Sequence, residues 1–155
     1  LLNKGTMLLN LYEFTGEIKT LQDSLKVIKQ VLQQTDLKTY PRYFALIHLS
    51  LSRAYLAEAK VQTTPNEIRL ASLSLALKSI HSSMRILQKQ AYPRDFAICK
   101  TVEGDIYFVW ATIDNPAINR SSAKTSYQEA LSVYEENLYQ ANHDELLSKI
   151  HSLSQ

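Results

Sequence analysis

This 155-residue chain contains few of the residues that interrupt regular structure or form cross-links: one cysteine, three glycines and four prolines. The single Cys99 excludes an internal disulfide framework, because such a framework needs pairs of cysteines. Scarce Gly and Pro leave little room for the turns of a many-stranded sheet, so helix is favoured. We therefore expect an all-α protein, and the lone thiol suits the reducing conditions of a cytoplasmic location.

Several other patterns are missing from the sequence. No apolar run approaches the roughly 20 residues of a membrane-spanning helix, and no Lys/Arg run accompanies the small net charge of +2. We expect neither membrane insertion nor a nucleic acid partner. Gly-rich phosphate loops, His-Glu-x-x-His and Cys pairs at zinc spacing are also missing, so the sequence predicts no catalytic, cofactor-binding or metal-binding residue.

One phrase occurs twice: Tyr40-Pro41-Arg42 returns as Tyr92-Pro93-Arg94, 52 residues later. It could present an aromatic ring and a cation to a ligand, or it could mark the start of a structural unit. Proline lacks the backbone donor that the first helical position does not need, and its fixed φ starts a helix. The second interpretation is therefore favoured, and each copy predicts a helix start.

Other signals mark further helix ends. Thr64-Pro65-Asn66-Glu67 has the capping-box arrangement with Thr64 as the cap, and Asn115-Pro116 predicts another start. A third start is predicted at Asn142, followed by His143, Asp144 and Glu145, while Gly16 interrupts the first segment. With apolar residues at helical spacing between these marks, the sequence predicts seven helices, at about 2–15, 17–35, 42–61, 66–90, 94–113, 117–139 and 143–153.

The helices alternate in type, which is typical of repeats. Gly104-Asp105-Ile106-Tyr107 is followed by Ala123, Tyr127 and Ala130; Leu51 to Tyr55 is followed by Ala76 and Ile80; and Leu8 to Tyr12 is followed by Leu21 and Leu25. These segments resemble the tetratricopeptide repeat. The resemblance has departures: His48 and Lys100 occupy the Trp position, and the offsets between Tyr12, Tyr55 and Tyr107, which are 43 and 52 residues, exceed the period of roughly 34.

The resemblance implies one domain over 1–155, built of antiparallel helix hairpins stacked as a right-handed solenoid. Its repeats would cover about 1–38, 40–90 and 92–140, with a capping helix at 142–155. A compact helical bundle is the alternative architecture. Because the chain opens on Leu1-Leu2-Asn3 within a helical pattern, we expect it to be part of a longer protein.

In this family the first helix of each pair lines a concave groove. The matching positions, counted back from each motif Tyr, include Asn10, Glu13, Leu49, Arg53, Leu56, Thr101, Asp105 and Phe108. The implied function is a non-enzymatic scaffold that binds a peptide or a partner helix. In the alternative interpretation, the apolar candidates contact neighbouring helices, and Arg53 pairs with Asp105.

Two further functions stay open at this point. The Tyr-Pro-Arg-Asp-x-Ala start resembles long bacterial repeat arrays, which implies a sensor or adaptor module of a larger signalling protein. The other possibility is a small helical enzyme or ligand-binding bundle with Cys99 as its nucleophile, although a thiolate would need a nearby base and Cys99 could equally be a buried thiol. The triplet Asn119-Arg120-Ser121 matches a glycosylation acceptor, which we interpret as a chance match.

Overall fold

The computed structural model describes residues 1–136 and 140–154. These residues form seven α-helices and no β-strand, which confirms the all-α prediction. The helices are α1 (Leu2–Thr15), α2 (Ile18–Gln34), α3 (Pro41–Ala59), α4 (Asn66–Met84), α5 (Pro93–Ala111), α6 (Pro116–Glu136) and α7 (Gln140–Ser152). None of the helices in this described part combines the length and apolar character that a membrane crossing requires.

The helices belong to two compact units, Leu1–Ile86 and Leu87–Gln155. In unit 1, α1 packs on α2, α2 on α3, and α3 on α4. In unit 2, α6 packs against both α5 and α7. Within each unit, every helix therefore packs against the next one along the chain.

Serine hydroxyls join α3 and α4 at two levels. Ser52 in α3 donates to the carbonyl oxygen of Ala76 at 2.8 Å, and Ser83 in α4 donates to that of Ala45 at 2.8 Å. The later residue of α3 thus meets the earlier residue of α4, so the two helices run antiparallel. All four residues are buried, and short side chains at these positions let the helix backbones approach closely.

The two Tyr-Pro-Arg segments start helices, as the sequence predicts. Pro41 and Pro93 are the first residues of α3 and α5, and Tyr40 and Tyr92 hold nearly the same cap conformation, with φ of −133° and −138° and ψ of 61° in both. Both helices have 19 residues. The two Tyr-Pro-Arg segments, 52 residues apart, therefore share a local structure as well as a sequence.

The predicted capping box is wrong. Helix α4 begins at Asn66 with Pro65 as its cap residue, and no side-chain hydrogen bond caps it. The backbone N–H of Thr64 instead donates to the carbonyl oxygen of Val61 at 3.1 Å. The turn that closes the α3–α4 connection therefore holds Thr64 one residue too early to cap the helix.

Two predicted boundaries also move. Helix α4 ends at Met84 rather than at 90, because the chain turns after Arg85, yet Leu87 stays fully buried. Leu87 thus has the apolar spacing of α4, but it lies in the turn that follows the helix. Helix α7 begins at Gln140, so the start predicted after Asn142 is wrong, and the predicted end of α6 at 139 lies outside the described residues.

Glycine allows close helix contact in both units. A Cβ on Gly5 would lie 2.7 Å from the Ile28 side chain, and a Cβ on Gly104 would overlap the Tyr127 ring, with its Cζ 2.9 Å away. In unit 2 a small residue of α5 therefore faces a large ring of the next helix. At Gly16 the reason is different: φ is +71°, the left-handed conformation that ends α1.

Candidate functional site

The predicted groove residues of unit 1 come from α1 and α3, and two of them meet. The Arg53 guanidinium lies 3.3 Å and 3.5 Å from the two carboxylate oxygens of Glu13. The side chains are 34% and 52% exposed, and Asn10, one turn before Glu13, is exposed too. We call Asn10, Glu13 and Arg53 the Arg53 surface.

The two leucine candidates of α3 lie elsewhere. Leu49 and Leu56 are buried, with 9% and 5% of their surface exposed. Helix α3 has α4 on one side and both α1 and α2 on another, so little of its circumference is open to solvent. These leucines belong to the core of unit 1 and offer no surface to a partner.

In unit 2, Asp105 is bound by two internal partners. The Tyr127 hydroxyl donates to Asp105 Oδ1 at 2.6 Å, and Lys149 Nζ donates to its two oxygens at 2.7 Å and 2.9 Å. Burial, and then the charge of Asp105, raise the pKa of Tyr127 strongly, so the phenol stays protonated as a donor. Asp105 therefore joins α5, α6 and α7 within unit 2, and the partner of Arg53 within unit 1 is Glu13.

Thr101 and Phe108 share a face of α5 with Asp105, at helical spacing. The Thr101 hydroxyl donates to the carbonyl oxygen of Ala97 at 2.9 Å. Phe108 has 39% of its surface exposed. Of these three candidates, Phe108 presents the largest apolar surface to solvent, while the polar groups of the other two are engaged inside unit 2.

A partly buried ionic network in unit 2 was not predicted from the sequence. Lys100 Nζ lies 2.8 Å from both Glu103 Oε2 and Glu129 Oε2, and the Ser126 hydroxyl donates to Glu103 Oε2 at 2.9 Å. Burial alone would lower the pKa of Lys100, but hydrogen bonds to the two carboxylates raise it above its usual value. The i, i+3 spacing of Lys100 and Glu103 was the available signal; nothing local links them to Ser126.

His48 has an unusual environment in unit 1. Its Nδ1 is buried and has no hydrogen-bond partner among the described residues, while its ring lies 4.6 Å from that of Phe44. Burial lowers the pKa of this histidine. The ring therefore packs as a neutral, largely apolar group in the position where the repeat motif has Trp.

Cys99 lies in the core of unit 2 and is fully buried. A nucleophile must meet its substrate, so this placement matches the buried-thiol interpretation. Within the described residues, no three His, Cys, Asp or Glu side chains are grouped as metal ligands would be. Asn119 is also buried, and its amide donates to the carbonyl oxygen of Asp114 at 2.8 Å, so it is occupied as a helix-start contact rather than offered for glycosylation.

No family model, no curated protein and no solved structure matches this chain.

Proposed function

We propose that this protein is a non-enzymatic, TPR-like helical-repeat module that binds a protein or peptide partner on the first helices of its helix pairs. The observation that carries the proposal is the contact between Arg53 and Glu13. These residues come from the first helices of two different predicted repeats, 40 residues apart. Aligning the predicted repeats on their motif Tyr places both residues on one predicted binding surface, and in unit 1 they are neighbours.

The chemistry of the Arg53 surface suits a peptide. An arginine fork, a carboxylate and an amide offer donors and acceptors to a backbone or to charged side chains. The Arg53–Glu13 pair is partly exposed, so it contributes little to stability and can exchange partners at small cost. Arg53 is then available to an incoming carboxylate, and Glu13 to an incoming cation.

The repeat of α3 by α5 supports the TPR-like arrangement. The two helices have equal length, the same Pro start and the same cap geometry at both ends: the end caps, Lys60 and Thr112, have φ of −77° and −78°. Each is followed by a partner helix that packs against it. A stack of such hairpins would expose the first helices along one concave side.

A displayed library of random peptides, panned on the immobilised protein, tests the proposal. We expect the enriched peptides to lose at least tenfold in affinity for Arg53→Glu, measured by fluorescence anisotropy. Lys78→Glu is the matched control, because Lys78 is an exposed cation on α4, and its affinity should stay within twofold of the unchanged protein. No enrichment, or equal losses in the two variants, would overturn the proposal, provided circular dichroism shows that both are folded.

A further inference from the structure

Helix α1 exposes three large apolar side chains on one face. Met7, Leu11 and Phe14 are 70%, 48% and 90% exposed, and their i, i+4, i+7 spacing aligns them along the helix. The residues that α1 buries, Leu2, Gly5 and Leu9, lie on its opposite face. We call Met7, Leu11 and Phe14 the α1 stripe; it lies beside a shallow depression lined also by Lys4, Leu8 and Asn10.

The stripe differs from the other apolar exposure of the molecule. Single exposed apolar residues are ordinary on protein surfaces, and the other described helices expose at most two large ones each. Helix α1 is the one described helix that exposes three along a face, and it is apolar around most of its circumference. A helix that is apolar on both sides is normally buried on both sides.

The chain itself shows what covers this face in a repeat. Aligning Tyr12 with Tyr55 places the stripe at the positions of Ser50, Ala54 and Ala57 in α3. There Ala54 is fully buried and Ala57 is 7% exposed, while Ser50 is half-buried.

The direction of the Ser52 side chain shows which helices pack against that face of α3. Its hydroxyl points at α4, and Ala54 lies about 200° further around the helix, on the side away from α4. The other helices packed on α3 are α1 and α2. In unit 1, therefore, α1 and α2 cover the face of α3 that is equivalent to the exposed face of α1.

The exposed area favours a single helix over a second copy of the chain. A stable dimer buries about 800 Å² on each partner, whereas the exposed parts of these three side chains amount to roughly 400 Å². A docked helix needs only anchors at i, i+3 or i+4, and i+7, which is the spacing of the stripe itself.

Charge indicates which kind of helix fits. Unit 1 contains eleven Lys and Arg residues against six Asp and Glu residues. Lys4 is exposed at the edge of the stripe, while Glu13, the one acidic residue of α1, is bound by Arg53. An acidic helix would therefore be attracted to this face, and a basic one repelled.

We propose that the α1 stripe is a docking site for an acidic amphipathic helix of a partner protein. The apolar stripe of that helix packs on Met7, Leu11 and Phe14, and a carboxylate beside it pairs with Lys4. The three stripe residues do not belong to the Arg53 surface, although Asn10 borders both, and the proposal does not depend on the function proposed above.

The probe is a fluorescein-labelled synthetic helix of 18 residues, with leucines at i, i+3, i+4 and i+7 and glutamates on its flanks. One control peptide has the same composition in scrambled order, and another has lysines in place of the glutamates. Anisotropy titrations use the full chain, its Phe14→Glu and Phe14→Ala variants, and Ile68→Glu as the matched control on an exposed apolar residue of α4. Because Phe14 is 90% exposed, its replacement should leave the fold intact, which circular dichroism verifies.

We expect saturable binding of the acidic helix, at least tenfold weaker binding of both control peptides, and a loss of at least tenfold in Phe14→Glu with a smaller loss in Phe14→Ala. Ile68→Glu should bind as the unchanged protein does. Equal affinity for the scrambled peptide, or no loss in Phe14→Glu, would overturn the proposal. So would a concentration-dependent dimer in sedimentation that Phe14→Glu abolishes, because the stripe would then bind a second copy.

Discussion

His48 packs in unit 1 as a neutral ring, and that placement has a consequence for stability. Because burial lowers its folded-state pKa below 6.5, the unfolded chain binds the proton more readily. The contribution to stability is fully present above about pH 6.5 and is lost as the pH falls through the folded-state pKa. Acid should therefore destabilise the protein partly through this residue.

The His48→Leu variant tests this. It removes the unpartnered Nδ1, whose desolvation costs about 1–2 kcal/mol, so its free energy of unfolding should at least match that of the original chain near pH 5. Urea titrations at pH 7, 6 and 5 should show the difference between the two proteins moving in favour of the variant as the pH falls. A difference that does not change with pH would contradict the prediction.

His143 should respond in the opposite direction. Its two ring nitrogens lie 3.1 Å and 3.3 Å from carboxylate oxygens of Asp144 and Glu135, and only the doubly protonated ring can donate to both. The hydrogen bond to Asp144, with that to Glu135, raises its pKa above 6.5. Its contribution is therefore present below pH 6.5 and is lost as the pH rises through the folded-state pKa.

His143→Gln should be less stable than the original chain at pH 6 and equally stable above pH 8, in the same urea titrations. Glutamine keeps a donor but carries no charge, so the comparison isolates the protonated ring. A deficit that persists at high pH would assign the effect to packing instead.

At the scale of the helices, the contact between Gly104 in α5 and Tyr127 in α6 predicts the sign of a change in the free energy of unfolding. In an open helix, Gly→Ala stabilises by about 1 kcal/mol. At Gly104 the added methyl group would overlap the Tyr127 ring, and overpacking costs about 1–3 kcal/mol. Gly104→Ala should therefore lower the free energy of unfolding, measured by urea denaturation, whereas an increase would mean that α5 and α6 are less closely packed.

The position of α7 depends on the ion pair of Lys149 with Asp105. Both side chains are about one quarter exposed, and Tyr127 shares the carboxylate. A double-mutant cycle with Lys149→Gln and Asp105→Asn should give a coupling of about 1 kcal/mol or more. The more exposed pair of Arg53 and Glu13 is the control and should give less; equal couplings would show that Asp105 does not hold α7 in place.

The helix ends show what the sequence could and could not predict. Pro41, Pro93 and Gly16 act through their own backbone geometry, so their effects could be predicted from the sequence alone. The positions of Thr64 and Leu87 depend on how the adjoining turns fold. Local sequence rules therefore predicted both positions wrongly. Local chemistry therefore predicted the helix starts that proline marks, whereas the turns between the helices are set by packing.

At the scale of the whole chain, the repeat register placed Glu13 and Arg53 on one surface, and the structure brings them together. It could not show that Leu49 and Leu56 are enclosed, because burial depends on how many helices surround α3. Nor could it show the Lys100, Glu103 and Ser126 network, since residues 23 apart in sequence carry no sign of contact. Periodicity therefore predicts faces, and only the fold decides which faces meet.

At the scale of the whole chain, the enzyme and binding-module hypotheses make different predictions for the reactivity of Cys99. A fully buried thiol reacts with a disulfide reagent only when its surroundings open, so the labelling rate should follow the unfolded population. In native buffer we expect labelling to be at least a hundredfold slower than in 8 M urea. Across intermediate urea concentrations, the free energy obtained from labelling should fall with the same slope as the global value from circular dichroism. Rapid reaction of the native protein, at a rate independent of urea, would instead mark an accessible and activated thiolate and would favour the enzyme over the binding module.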